Sequence, residues 1–173
     1  MEALNMTNYS PAQVLSHRLE GLLSGLLAEN NLPDDCSNTV ITGIATDSRQ
    51  VVPGDLFIAL NGLTVDGRVY INEAIERGAI AVIAEADESF SIRNKGSVAI
   101  ISLQNLTENL SKIAGRFYGD PTESLNVIGV TGTNGKTSCS HLIASLAATV
   151  GQKSGLIGTL GYDIYQKNNL ELE

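Results

Sequence analysis

A chain of 173 residues, 43% hydrophobic and 17% charged, has room for one ordinary domain, or a small domain and part of a second, and is too apolar to stay disordered. Its formal net charge of −8 excludes nonspecific attraction to nucleic acid or an anionic membrane surface, so an anionic ligand needs a local positive site. The two cysteines, Cys36 and Cys139, have no metal-binding or redox spacing and read as free thiols of a reducing compartment.

Met1 to Ser10 lacks the basic and apolar regions of a signal peptide. The most apolar early stretch, Ala12 to Ala28, contains His17, Arg18 and Glu20, which excludes a membrane span. The expectation is a cytoplasmic monomer.

Taking the elements in chain order, Ser10-Pro11 has the form of a helix cap followed by proline at the first helical position. Val14, Leu15, Leu19, Leu22, Leu23, Leu26 and Leu27 recur at helical spacing, which predicts a first helix ending near Glu29-Asn30-Asn31. His17 on this helix is expected to be structural or solvent-facing. Val40 to Thr46 is short and β-branched, a strand leading into Asp47-Ser48-Arg49. A turn over 51–55 precedes a buried strand, Leu56 to Leu60, bounded by Asn61-Gly62. Ile71, Ala74 and Ile75 give a helix stopping at Gly78. Ala79 to Ala84 reads as a second buried strand, Asp87 to Gly96 as a polar loop and Val98 to Ile101 as a further strand. Leu106, Leu110, Ile113, Ala114 and Phe117 mark a helix ended by Gly119-Asp120-Pro121, where the best candidate linker begins. The pattern then restarts: strand Val127 to Val130, a glycine-rich loop, helix Thr137 to Val150, strand Lys153 to Ile157.

Strands alternating with helices imply an α/β fold with an at least partly parallel sheet. The boundary falls near Ser124, giving units 1–123 and 124–173. The second would be a lone β-loop-α-β. Its helix, with Leu142, Ile143, Leu146, Ala147 and Val150, would have no complete sheet to cover it. So short a unit rarely holds together alone, and the sequence looks cut short.

The segment Ile128-Gly129-Val130-Thr131-Gly132-Thr133-Asn134-Gly135-Lys136-Thr137-Ser138 is placed between a strand and a helix. Glycines there let several backbone N–H groups converge on phosphate oxygens at the positive end of a helix. Lys136 would reach the β- and γ-phosphates, and the Thr137 hydroxyl would join a Mg²⁺ shell. Val130 stands where the strict phosphate-loop pattern has its first glycine, and Gly132 takes over part of that role. Motor, kinase, switch and ligase families share such a loop, so residues elsewhere must decide what ATP is used for. Cys139 follows the loop directly and is expected to have no redox role; His141 is expected to pack.

A second polar cluster lies early. Thr46-Asp47-Ser48-Arg49 is followed by Pro53-Gly54-Asp55, then by Asn61-Gly62-Leu63-Thr64-Val65-Asp66-Gly67-Arg68. Hydroxyls, backbone N–H groups and an arginine suit a diphosphate or a nucleotide ring. The alternative is that Asp47 and Asp55 cap turns, with Arg49 bridging them.

Together these segments resemble the Mur ligase family, most closely the members that add diaminopimelate or lysine to the UDP-linked muramyl dipeptide. Three stretches carry the likeness: Thr46-Asp47-Ser48-Arg49 with Gly54-Asp55-Leu56-Phe57, Asp66-Gly67-Arg68 with Tyr70-Ile71, and Gly129 through Thr137. Ala114-Gly115-Arg116-Phe117-Tyr118 and Gly155-Leu156-Ile157-Gly158-Thr159 agree with it. The likeness implies a UDP-substrate-binding α/β domain followed by the start of a parallel-sheet ATP-binding domain. It implies that Ser48 and the backbone around Thr46 contact the UDP moiety and that Leu63, Thr64 and Val65 line a uracil site. Thr133, Asn134, Gly135, Lys136, Thr137 and Ser138 would hold the phosphates of ATP, with Mg²⁺ on Thr137 and Lys136 as the catalytic residue.

The implied reaction passes the γ-phosphoryl of ATP to the terminal carboxylate of UDP-N-acetylmuramoyl dipeptide, and an incoming amine then displaces phosphate. The family's later threonine pair, acidic metal ligand, modified lysine and C-terminal domain are not in the chain, which is therefore expected to be inactive alone. The related ligase that adds D-alanyl-D-alanine usually differs in the loop and in the strand after its helix. A non-catalytic UDP-sugar binding module and an ATP-driven switch are the readings from other classes.

Overall fold

The structure is a computed structural model that describes residues 16–27, 32–62, 65–87 and 89–166. The chain divides into two compact units, Met1–Leu125 and Asn126–Glu173.

In the first unit, β1 (His17–Arg18) leads into α1 (Leu19–Leu23), and α2 (Asp34–Ser37) precedes β2 (Val40–Ile41) and β3 (Gly43–Ala45). The long first helix is thus corrected. Val14 and Leu15, the Ser10-Pro11 cap and the expected end at Glu29-Asn30-Asn31 lie outside the described residues. Within them, His17 and Arg18 pair antiparallel with Ile41 and Val40. The Leu19 N–H bonds to the Thr39 carbonyl at 2.9 Å. Leu19, Leu22 and Leu23 are buried, but Gly25 at φ +67° turns the chain away soon afterwards. The Arg116 guanidinium donates to the Leu22 carbonyl at 2.8 Å, a cation at a helix C-terminus. His17 stacks on Phe117 with ring centroids 5.3 Å apart. The strand expected over 40–46 is two strands in different sheets, because the Thr42 N–H bonds to Gly54 O instead.

The main sheet adds β4 (Asp55–Ala59), β5 (Ala81–Glu85), β6 (Ser91–Lys95) and β7 (Val98–Leu103), with order β3-β4-β5-β7-β6. The first four run parallel, and β6 pairs antiparallel with β7. Helices α3 (Ile71–Glu76) and α4 (Leu106–Tyr118) complete the unit. Successive residues of the central strands face opposite cores. Leu56, Ile58, Ala81, Ile83, Ile101 and Leu103 share one core with Leu106, Ile113 and Phe117 of α4. Phe57, Ala59, Val82, Ala84 and Ile100 share the other with Ile71 and Ala74 of α3. Burial on both faces is why these strands read as unbroken apolar runs.

Ser91–Lys95 was expected to lie in a polar loop and is instead an edge strand. Charged side chains on an edge strand discourage pairing with another chain. Helix α4 ends as expected, at Gly119 with φ +73°.

The second unit holds α5 (Lys136–Thr149), β8 (Ser154–Gly158) and β9 (Gly161–Tyr165). The expected strand Val127 to Val130 does not form: residues 126–131 belong to no sheet. A strand needs a ladder partner, and β8 takes β9 as its antiparallel partner. Ala144, Ala148 and Leu156 are buried here, whereas Leu142 and Leu146 of α5, and Val150 just after it, are exposed. His141 packs against β9 through a hydrogen bond between Nδ1 and the Tyr165 hydroxyl.

Candidate functional site

Two groups of residues carry chemistry, one in each unit. In the first unit, the expected nucleotide-binding segments follow β3 and β4, at the C-terminal ends of parallel strands. Open α/β sheets bind ligands at that edge. Thr46 leaves β3 exposed. Asp47 then caps a single 3₁₀ turn, Ser48–Gln50. Its carboxylate accepts the Arg49 N–H at 3.0 Å and the Arg49 guanidinium at 2.7 to 3.2 Å. After β4 the same device recurs. Asp66 caps the turn Gly67–Tyr70, accepting the Arg68 N–H at 2.9 Å and its guanidinium at 2.8 to 3.0 Å. Each is an aspartate whose short side chain bonds the backbone two residues on and is then clamped bidentately by an arginine.

The clamps differ in exposure. The Arg49 side chain is 78% exposed and that of Arg68 26%. Arg68 also reaches Asp87 at 2.6 Å. Hydrogen bonds from Arg49 hold the Asp47 carboxyl far below its usual range, at about 2. Arg68 lowers Asp66 in the same way, and its own guanidinium is raised by hydrogen bonds to Asp66 and Asp87.

The turn-cap reading is therefore correct for Asp47. Asp55 also holds a turn, accepting the Val52 N–H at 2.9 Å. Arg49 bonds Asp47 but does not bridge it to Asp55 among the hydrogen bonds formed.

Ser48 is buried, and its hydroxyl donates to the Glu73 carboxylate at 2.9 Å. Glu73 in turn accepts Arg77 Nε at 3.1 Å. Val65 is exposed and its carbonyl accepts the Gly62 N–H at 3.2 Å. Leu63 and Thr64 lie outside the described residues. Asn61 and Asp66 form a bridge that closes this loop, and the Gly67 N–H bonds to Leu60 O at 2.8 Å. Cavities of about 510 and 420 Å³ flank Arg68, one toward Glu85 and Asp87 and one toward Arg93 and Lys95. Thr46, Ser48 and Val65 line neither; Thr46 and Val65 are exposed, whereas Ser48 is buried.

In the second unit, Gly132 at φ +143° and Gly135 at φ +75° turn the backbone into α5, conformations that glycine adopts without penalty. The first backbone bond of the helix runs from Cys139 N–H to Gly135 O at 2.9 Å. The N–H groups of Lys136, Thr137 and Ser138 thus precede the helical ladder. No side chain caps this end, and its first turn holds no acidic residue. Lys136 Nζ bends back over the loop to Gly132 O at 2.5 Å and Thr133 O at 3.5 Å. Thr133, Asn134, Gly135, Lys136, Thr137 and Ser138 are all exposed. The structure brings these six residues together at the start of α5, as expected. It does not supply the strand expected before them.

Sequence reasoning missed Glu73 and Arg77. Glu73 lies 25 residues from Ser48, and only the packing of α3 beside the Ser48–Gln50 turn brings them together.

Residues 40–118 match the model of the Mur ligase family, catalytic domain, and residues 130–172 match the Mur ligase middle domain. The chain is 48% identical over 126 residues to UDP-N-acetylmuramoyl-L-alanyl-D-glutamate–2,6-diaminopimelate ligase of Pseudomonas syringae pv. tomato. That match covers 73% of this chain and 26% of the relative. The ligase of the same name from Coxiella burnetii is 49% identical over 127 residues, with the same coverage. The chain thus spans about a quarter of the length of the curated relatives it matches. A solved structure of a UDP-N-acetylmuramoyl-L-alanyl-D-glutamate–2,6-diaminopimelate ligase aligns with a TM-score of 0.58 at 27% identity, covering 79% of this chain and 27% of that one. The D-alanyl-D-alanyl ligase structure from Acinetobacter baumannii aligns with a TM-score of 0.58 at 22% identity, over 82% of this chain and 30% of that one.

Proposed function

This chain belongs to the Mur ligase family, and from that premise we propose that it carries the UDP-substrate site and the ATP phosphate loop of a ligase adding diaminopimelate to UDP-N-acetylmuramoyl-L-alanyl-D-glutamate. The first unit takes the uridine diphosphate end of the substrate at Thr46, Ser48, Leu63, Thr64 and Val65. The second takes the phosphates of ATP at Thr133 to Ser138. The choice of diaminopimelate over lysine, and over the D-alanyl-D-alanine reaction, rests on the names of the curated relatives.

One observation carries the ATP half. Helix α5 begins with three N–H groups ahead of its ladder, no side-chain cap and no acid in its first turn, beside the only lysine of the loop. Such an end attracts an anion, because the helix dipole and the N–H groups act in the same direction. On this reading Lys136 leaves the Gly132 carbonyl for a phosphate oxygen, and the backbone amides offset charge on the transferring phosphoryl group.

A bound Mg²⁺ would neutralise phosphate charge, and the exposed Thr137 hydroxyl is chemically suited to be one oxygen ligand. No cluster of three His, Cys, Asp or Glu residues able to hold a metal occurs among the described residues. Phosphate oxygens and water are the ligands Mg²⁺ commonly takes beside protein oxygens.

A cytoplasmic location belongs to the same proposal. Its support is the sequence, in which Cys36 and Cys139 have no redox or metal-binding spacing. Among the described residues no helix is long and apolar enough to cross a membrane.

Calorimetric titration of the 173-residue chain with UDP-N-acetylmuramoyl-L-alanyl-D-glutamate and, separately, with ATP and Mg²⁺ tests the assignment. Both should bind. Binding of the UDP ligand alone would mark a non-catalytic sugar-nucleotide module, and binding of ATP alone would mark a different phosphate-loop protein.

A further inference from the structure

The Ser48 hydroxyl has one proton, and the structure commits it to Glu73 Oε2. A carboxylate can only accept, so the direction of this bond is set by chemistry. The other Glu73 oxygen accepts Arg77 Nε at 3.1 Å, and Arg77 also reaches back to the Arg49 carbonyl at 3.5 Å. Both carboxylate oxygens are therefore occupied, and the pair ties α3 to the Ser48–Gln50 turn. Helix α3 continues without a break from the Gly67–Tyr70 turn, whose Arg68 carbonyl accepts the Ile71 N–H. One continuous piece of backbone thus carries the Asp66 turn at its start and Glu73 on its side.

We propose that Glu73 is a positioning residue of the uridine diphosphate site. It sets the distance between the Ser48 turn and the Asp66 turn, and it orients the Ser48 oxygen as a hydrogen-bond acceptor. This deepens, and rests on, the assignment of the first unit as the UDP site.

A specific consequence follows for the ligand. The group that meets the Ser48 oxygen has to be a donor, such as the uracil N–H or a ribose hydroxyl. A phosphate oxygen there would face lone pairs and the Glu73 carboxylate together.

The test is calorimetric titration of UDP into the 173-residue chain and its variants E73A, E73Q, S48A and S48A/E73A. E73A should weaken UDP about 10-fold, in the range for losing a hydrogen bond to a charged group, with ATP affinity unchanged. E73Q keeps an acceptor carbonyl and should stay within about 3-fold of the parent. The double variant should bind no more weakly than S48A, because the two residues act as one unit. A merely structural Glu73 would instead give losses that add. Should E73A not fold, E73D withdraws the carboxylate by one methylene and serves the same comparison. UDP affinity unchanged in E73A or E73D, or additive losses in the double variant, overturns the positioning role alone. A parent chain that does not bind UDP overturns the site assignment and this inference with it.

Discussion

Removing the Glu85 carboxylate should destabilise the first unit through a helix to which Glu85 does not belong. Helix α4 starts at Leu106 behind Asn105, which sits at φ +54° and provides no side-chain cap. Glu85, the last residue of β5, fills that role: its two oxygens accept the N–H groups of Leu106 at 3.1 Å and Thr107 at 3.3 Å. In Glu85→Ala both donors lose their partner. Thr107 is exposed and regains water, but Leu106 is fully buried and its N–H is harder to rehydrate. Loss of a helix cap costs about 1 kcal/mol, and loss of an anion from the positive end of a helix adds about 0.3 to 1 kcal/mol. Together these give about 1.3 to 2 kcal/mol, or a fall in melting temperature of roughly 5 to 8 °C for a unit of this size. Glu85→Gln keeps one acceptor and loses the charge, so about half that fall is expected. Differential scanning calorimetry of the full chain reads both variants against the parent. A Glu85→Ala transition within 1 °C of the parent's would refute the idea that β5 caps α4.

Lys136→Ala should lower ATP affinity by about 10- to 100-fold, the range for one charge-assisted hydrogen bond. The fold should not change, because Lys136 is exposed; calorimetric titration and circular dichroism check the two halves of the statement. Gly67→Ala would place a Cβ 2.7 Å from the Leu60 carbonyl oxygen and 3.1 Å from its nitrogen. Such overpacking against backbone costs about 1 to 3 kcal/mol, so the urea midpoint should fall and UDP binding weaken while ATP binding persists. Asp47 should stay ionised far into acid. Its folded pKa of about 2 lies below the ordinary 3.8, so its contribution to stability is present above pH 3.8 and is lost as pH falls through about 2. An NMR carboxyl titration with a midpoint near 3.8 would contradict the Arg49 clamp.

The parts of the fold legible in the sequence are those where burial leaves no choice. Leu56 to Ala59 and Ala81 to Ala84 are apolar at every position because each face of the sheet has its own core. Helix α4 combines a helical apolar spacing with a terminating Gly119. The parts that were not legible depend on partners distant in sequence. Ser91–Lys95 looks like a loop because an edge strand can carry Arg93 and Lys95 into solvent. His17 and Arg18 continue a leucine pattern of helical spacing, yet Val40 and Ile41 draw them into a ladder. Val127 to Val130 has strand composition but no ladder. Of the site, the loop from Thr133 to Ser138 and the turns held by Asp47 and Asp55 were readable, since their chemistry is local; the Asp66 turn was not read. Glu73 was not, because an acid on a helix shows no sign of the serine it will meet.

Backbone resonances of the loop offer the most direct trial of phosphate binding. In ¹⁵N-labelled 173-residue chain titrated with ATP and Mg²⁺, the largest amide shift changes should fall on Gly132 through Ser138, saturate with a single binding constant and shrink in Lys136→Ala. Saturating ATP that leaves those amides unmoved, or moves chiefly amides elsewhere, would show that the triphosphate is not held at the start of α5.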